Sequence, residues 1–273
     1  MEISKIVEQN PWWKFGGNFV YHDRTMNQYH AAEVKFERRK IRLLPSNIYV
    51  LHGPRQVGKT TEIKKTTLEL IQSGIDPESI CYFSCEDLTS ARELGKVLDF
   101  FLARLERYEK IYLFLDEINF VKDWVPQIKR AAESRAFNRV IFVVTGSPFG
   151  LKIHTHELVG RGIEGNRHFI KPLSFRDFVL QICKSMARKT PEPSLRDELE
   201  ILSNRLPNVC IDLEGSMEEV AKKVEELLKY IRSLNFLFKV YLLTGGFPAV
   251  INDYLKNLKG RKLEPACTRC LWN

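Results

Sequence analysis

The chain has 273 residues, 44% of them hydrophobic, enough for one large core and a smaller second domain. Lys and Arg outnumber Asp and Glu by 42 to 34, and the net charge of +8 permits a nucleic-acid or acidic partner, although a solvated basic face accounts for it more simply. No apolar run is long enough to span a membrane, and Lys5 and Glu8 interrupt any signal-like segment near the start, so a membrane protein is excluded and a cytoplasmic chain with reduced thiols is expected.

Residues 1–45 read as an N-terminal arm. Asn10-Pro11-Trp12-Trp13, followed by Phe15, Gly16 and Gly17, suggests an anchored arm rather than a helix. The indole pair should pack on the core, or else on a bound base. Lys35, Arg38, Arg39, Lys40 and Arg42 then form a basic stretch, either a solvated face or a contact to a phosphate backbone.

Residues 48–51 predict a short buried strand. After it comes Gly53-Pro54-Arg55-Gln56-Val57-Gly58-Lys59-Thr60, two glycines separated by four residues and followed by Lys and Thr, the phosphate-loop pattern. Ile63, Thr67, Leu70 and Ile71 then recur at helical spacing, and Gly74 falls where that helix would stop. A loop between a strand end and a helix start presents backbone N–H groups and the positive end of the helix dipole to an anion. Residues 53–60 with Thr61 are therefore the expected nucleotide-binding stretch. Gly58 admits the phosphates, Lys59 reaches the β- and γ-phosphates, and the Thr60 hydroxyl binds Mg²⁺.

Strands and helices alternate from there. Residues 79–83 predict a second strand, Ser90 and Glu93 a capping box, and Leu94, Val97, Leu98, Phe101 and Leu105 one apolar helix face. Residues 111–115 predict a third strand, almost wholly apolar, as expected of a parallel strand buried on both faces. Asp123 can cap a helix that turns Trp124, Ile128, Ala131 and Ala132 inward, with Pro126 in its tolerant first turn. Residues 140–144 and, more weakly, 167–171 complete five strands. The rhythm predicts a parallel sheet covered by helices over residues 46–172, with its ligand at the carboxyl ends of the strands.

Residues 173–273 predict a small all-α domain. Residues 175–186 read as a helix, and 187–215, with Pro191, Pro193 and Pro207, as loop with a short helix. Ser216 and Glu219 form another capping box before Val220, Val224, Leu227, Leu228 and Ile231. A helix over 236–243 ends at Gly245-Gly246-Phe247-Pro248. Of the six Cys (Cys81, Cys85, Cys183, Cys210, Cys267 and Cys270), Cys81 lies in an apparent strand and reads as a buried thiol, and Cys267 with Cys270 lacks the second pair that a zinc site needs.

Five further positions carry chemistry. Asp116 closes the third strand, where an acidic residue holds Mg²⁺ through water. Glu117 beside it could polarise a water towards the γ-phosphate, which points to hydrolysis rather than transfer to an acceptor. Thr145 and Ser147 end the fourth strand, and either hydroxyl could contact the γ-phosphate or orient the water. Arg161, in Val159-Gly160-Arg161-Gly162, is either an ordinary loop arginine or one that reaches a neighbouring subunit's nucleotide. His154 and His156 are two apart and read as a surface loop rather than a metal site.

Together these motifs resemble AAA+ ATPases. More closely, Asn10-Pro11-Trp12-Trp13, the phosphate loop, Phe114-Leu115-Asp116-Glu117 with Asp123-Trp124, Thr145-Gly146-Ser147, Gly160-Arg161 and Pro172-Leu173-Ser174-Phe175-Arg176 resemble the archaeal and bacterial ATPases with an AAA_14-type domain, from Asn10 to about Pro248. The resemblance implies a P-loop NTPase fold of the ASCE/AAA+ type with a helical lid, ATP as ligand and Mg²⁺-dependent hydrolysis. Pro248 resembles the lid proline that related signalling ATPases place against adenine. Members often continue into a winged-helix or nuclease-like domain; this chain stops at Asn273, so a truncated form or a lost effector part is expected. The function implied is ATP hydrolysis with possible self-association through Arg161; the alternative is an ATP-dependent switch, STAND-like, that acts on DNA or a protein partner with low turnover. A small-molecule kinase would need an acceptor pocket, of which the sequence shows no sign.

Overall fold

The computed structural model describes residues 3–147, 158, 160–190, 192–205 and 216–258. The chain divides into two compact units, one of residues 1–31 and 38–171 and the other of residues 32–37 and 172–273.

The first unit is built on a five-stranded parallel sheet: β1 Asn47–His52, β2 Ile80–Ser84, β3 Ile111–Asp116, β4 Val140–Gly146 and β5 Arg167–Phe169, in the order β2-β3-β4-β1-β5. Every residue of β3 and β4 is buried, which explains their unbroken apolar reading. Alternate residues of β1 serve opposite faces. Ile48 and Val50 join the core under α5 Ala91–Leu102 and α6 Val125–Ala132, whereas Tyr49 and Leu51 join the one under α4 Lys59–Gln72. β4 lies between β1 and β3, with Leu51 beside Thr145 and Leu115 beside Val144. This order brings the ends of β1, β3 and β4 to one place.

The N-terminal segment departs from the expected non-helical arm. It is helical: α1 Ile3–Gln9, α2 Trp12–Phe15, a 3-10 turn Gly16–Tyr21 and α3 Arg24–His30, whose N-cap Asp23 accepts from the Met26 N–H. These helices are too short to be stable alone, and tertiary contacts fix them. β2 is an edge strand, and side chains of this segment bond to its backbone. Asn10 accepts from the Tyr82 N–H (2.7 Å) and donates to the Tyr82 carbonyl (2.8 Å). Gln9 accepts from the Ser84 N–H (2.7 Å), and Trp12 and Trp13 both donate from Nε1 to the Ile80 carbonyl (2.8 Å each). An open strand edge is a template for aggregation, and here amide and indole groups occupy it. Trp12 is fully buried and Trp13 half-buried, as expected of an indole pair packed on the core.

Asn10→Ala removes both bonds to Tyr82, together with the one from the Asn10 amide to the Ile6 carbonyl (2.7 Å), and leaves the Tyr82 N–H and carbonyl unsatisfied in a buried position. A loss of about 2–6 kcal/mol is expected, at about 1–3 kcal/mol for each of the two unsatisfied groups. Urea unfolding checks it: a midpoint equal to that of the wild type would show that the edge is not held in this way.

Two caps differ from expectation. Trp124, not Asp123, occupies the N-cap of α6, with no side-chain cap hydrogen bond, and Asp123 before it has a left-handed backbone at φ 56°; Pro126 does lie in the first turn. Ser90 accepts from the Glu93 N–H as a capping box requires, but the Glu93 carboxylate bonds to the N–H and hydroxyl of Thr89 instead of the Ser90 N–H.

The second unit holds α7 Phe175–Lys189, α8 Pro193–Arg205, α9 Met217–Leu228, α10 Ile231–Thr244 and α11 Pro248–Asn257, and no strand among its described residues. Phe178, Ile182, Leu199, Leu237, Val240, Ile251 and Leu255 form its core, joined by Val34 and Phe36. α8 is longer than the short helix expected, since Leu195, Leu199 and Leu202 recur at helical spacing and bury. Pro191 and Pro207 lie outside the described residues.

Candidate active site

β1 runs into residues 53–58, and α4 starts at Lys59. A Cβ on Gly53 would overlap the Ile170 carbonyl, so the first glycine of the loop is there for close packing against the chain after β5. Gly58 sits at φ 97°, where other residues are strained, and as N-cap it has no side chain to occupy the first-turn N–H groups of α4. Arg38 braces the loop, donating to the Val57 carbonyl (3.0 Å) and to the Lys171 carbonyl (2.9 Å). Five cations crowd that stretch of sequence, and nothing in their spacing singled out Arg38.

Lys59 is 5% exposed. Its ammonium donates to the carbonyls of Gly53 (3.1 Å) and Pro54 (3.2 Å) and pairs with Glu117 Oε1 at 3.2 Å. The loop lysine and the proposed base are thus in direct contact. Pro54 is half-buried and Arg55 and Gln56 are exposed along the loop, with Gln56 at φ 61°.

Asp116 is buried at the end of β3 and gathers three hydroxyls. Thr60 Oγ1 donates to Oδ2 at 2.6 Å, Tyr82 donates to the same oxygen at 3.0 Å, and Thr145 Oγ1 donates to Oδ1. Thr145 Oγ1 also accepts from the Glu117 N–H (3.0 Å). Glu117 itself has a left-handed backbone, φ 51° and ψ 44°, which costs a non-glycine residue about 1–2 kcal/mol. Such strain at a strand end is typical of residues held for function. The Ser147 N–H donates to Asn119 Oδ1 at 3.1 Å. Burial, reinforced by the charge of Asp116, pushes the Tyr82 phenol well above its usual range, so it stays a donor at neutral pH.

The Thr60 hydroxyl and the Asp116 carboxylate are hard oxygen donors in mutual contact at the start of α4. That set fits Mg²⁺, which retains waters and needs one or two protein oxygens beside the phosphates. No group of three or more His, Cys, Asp or Glu suited to a metal occurs among the described residues.

Arg161 pairs with Glu133, the residue that closes α6, and its N–H donates to the Leu158 carbonyl (3.1 Å). Pro248 opens α11 in the second unit. Cys81, Cys85 and Cys183 are buried; burial pushes the thiols of Cys81 and Cys183 up to about 12 and that of Cys85 up as well, so none is an available thiolate. Val159, His154, His156, Cys210, Cys267 and Cys270 lie outside the described residues.

A family model described as an AAA domain, AAA_14, matches residues 45–179. Residues 45–179 are an AAA-type ATPase domain. No curated protein matches the chain. The AAA domain begins just before β1 and ends within α7, so it contains the loop, Asp116, Glu117, Thr145, Ser147 and Arg161. Arg38 and the N-terminal helices precede it, although both bond to its elements. The family makes this a nucleotide-binding domain of the ATPase type. Among the described residues no single helix is long and apolar enough to cross a membrane.

Tyr82 and Asn119 were missed from sequence. The one available signal for Tyr82 was a phenol in a short, mostly apolar strand, and only the pairing of β2 with β3, which sets Ser84 beside Asp116, brings the hydroxyl within reach of that carboxylate.

Proposed function

We propose that the AAA domain binds ATP together with Mg²⁺ and hydrolyses it. The convergence of Lys59, Thr60, Asp116, Glu117 and Thr145 at the ends of three neighbouring strands carries this reading. The first-turn N–H groups of α4 and the Lys59 ammonium bind the phosphates, with residues 53–58 and Thr61 around them. Thr60 and Asp116 hold Mg²⁺, which supplies positive charge to the phosphate oxygens. Glu117 accepts the proton of the attacking water. Because the same carboxylate pairs with Lys59, phosphate that draws the ammonium away also frees the base. Thr145 is committed to Asp116 and to the Glu117 N–H, which leaves Ser147 as the residue proposed to contact the γ-phosphate.

Arg161 acts in this reading on the nucleotide of a neighbouring copy. To do so it must give up Glu133. Specific activity then rises with protein concentration, and Arg161→Ala flattens that rise while ATP affinity stays nearly constant, since the lost group serves only the transition state. A mixture of Arg161→Ala and Glu117→Gln proteins regains part of the activity. If activity per molecule is independent of concentration and the mixture stays inactive, Arg161 is an ordinary loop residue.

Two ion pairs favour a second reading, an ATP-gated switch with low turnover that acts on DNA or a protein. Glu117 is held by Lys59 and Arg161 by Glu133, so both groups must be released before hydrolysis. Basal hydrolysis with and without single- and double-stranded DNA across a salt series separates the readings. A slow basal rate with DNA stimulation that falls steeply with salt supports the switch on DNA, and a fast rate indifferent to DNA supports the plain ATPase.

A further inference from the structure

We propose that Tyr82 is a positioning residue for the Asp116 carboxylate, and that the N-terminal helices act on the metal site through it. This inference rests on Asp116 holding Mg²⁺. β2 and β3 pair with Tyr82 beside Phe114 and Ser84 beside Asp116, so Tyr82 lies one strand away and two residues short of the carboxylate. Its side chain spans that offset, and the hydroxyl donates to Oδ2 at 3.0 Å.

The ring is held on several sides. Lys64 Nζ lies 3.8 Å from the ring centroid, and the Trp12 ring meets it edge-on at 6.3 Å between centroids. Lys64 is in turn fixed by Asp23 Oδ2 (3.2 Å) and the Gln9 carbonyl (3.4 Å), while Asn10 holds the Tyr82 backbone on both its N–H and its carbonyl. Gln9, Asn10, Trp12 and Asp23 all belong to the N-terminal segment. The path from that segment to the metal site is therefore continuous: it holds Lys64 and Tyr82, and Tyr82 holds Asp116.

Three hydroxyls support Asp116, but they are not equivalent. Thr60 is itself a metal ligand in the proposed site, so its bond to Oδ2 is shared with that role. Tyr82 and Thr145 grip one carboxylate oxygen each and fix its plane. Groups that hydrogen-bond to a ligating carboxylate orient it and raise metal affinity, typically 10–100-fold.

Tyr82→Phe keeps the ring and its packing and deletes only the hydroxyl. Binding of a fluorescent ATP analogue is measured across a Mg²⁺ titration and again in excess chelator, with thermal unfolding as the fold check. The Mg²⁺ needed for half-saturation is expected to rise about tenfold, with analogue affinity in chelator unchanged. An unchanged Mg²⁺ requirement would overturn the inference. An equal loss of affinity with and without Mg²⁺ would also overturn it, because that is the effect of a merely structural residue. A wild-type protein that binds the analogue without any Mg²⁺ dependence would overturn the metal site itself, and the role of Tyr82 with it.

Discussion

Glu117→Gln is expected to bind ATP at least as tightly as the wild type and to turn it over about 10²–10⁴-fold more slowly, the usual loss when a general base is removed. The amide matches the carboxylate in shape, so the residue can keep its left-handed backbone and the bond from its N–H to Thr145. It cannot take the proton of water. It also loses the ion pair with Lys59, whose ammonium then has one competitor fewer when phosphate arrives. Phosphate release under saturating ATP gives the rate, and equilibrium binding gives the affinity. Wild-type turnover in this variant would reduce Glu117 to a strand-end carboxylate with a structural ion pair.

Lys59→Ala is expected to lose ATP affinity by about two orders of magnitude, because a charge-assisted bond to phosphate disappears from a largely buried position. The substitution also removes the donor shared by the Gly53 and Pro54 carbonyls, so the loop relaxes and the backbone cradle weakens with it. Calorimetric titration with ATP measures the change. Equal affinity in variant and wild type would remove Lys59 from the phosphate site.

The contrast with Asn10→Ala is instructive. That change acts on the edge of the sheet, so it is expected to lower stability and to reach the proposed nucleotide site through Tyr82.

Much of the sheet was legible because each strand carries its own signal. β3 and β4 read as continuous apolar runs since both faces are covered, and the turn from β1 into α4 was legible from glycines whose backbone roles are local. The insertion of β4 between β1 and β3 is a matter of pairing between distant segments, and it alone places Thr145 against Asp116. Sequence left Thr145 and Ser147 equivalent for that reason. The N-terminal helices were misread because they have little intrinsic stability and borrow it from β2 through Gln9, Asn10 and the two indoles. Asp123 looked like a cap by composition, but its backbone lies in the left-handed region and Trp124 takes the cap position. The ion partners of Lys59 and Arg161 lie 58 and 28 residues away in the chain, and no spacing rule reaches that far.

The central claim is that Lys59, Thr60, Asp116 and Glu117 form a site that hydrolyses ATP with Mg²⁺. Phosphate release from ATP by the wild-type protein, followed across a Mg²⁺ titration, tests it most directly. Release that saturates with Mg²⁺ and stops in excess chelator is the expected result. Release that is absent at every Mg²⁺ and protein concentration, or that continues undiminished in chelator, would contradict it.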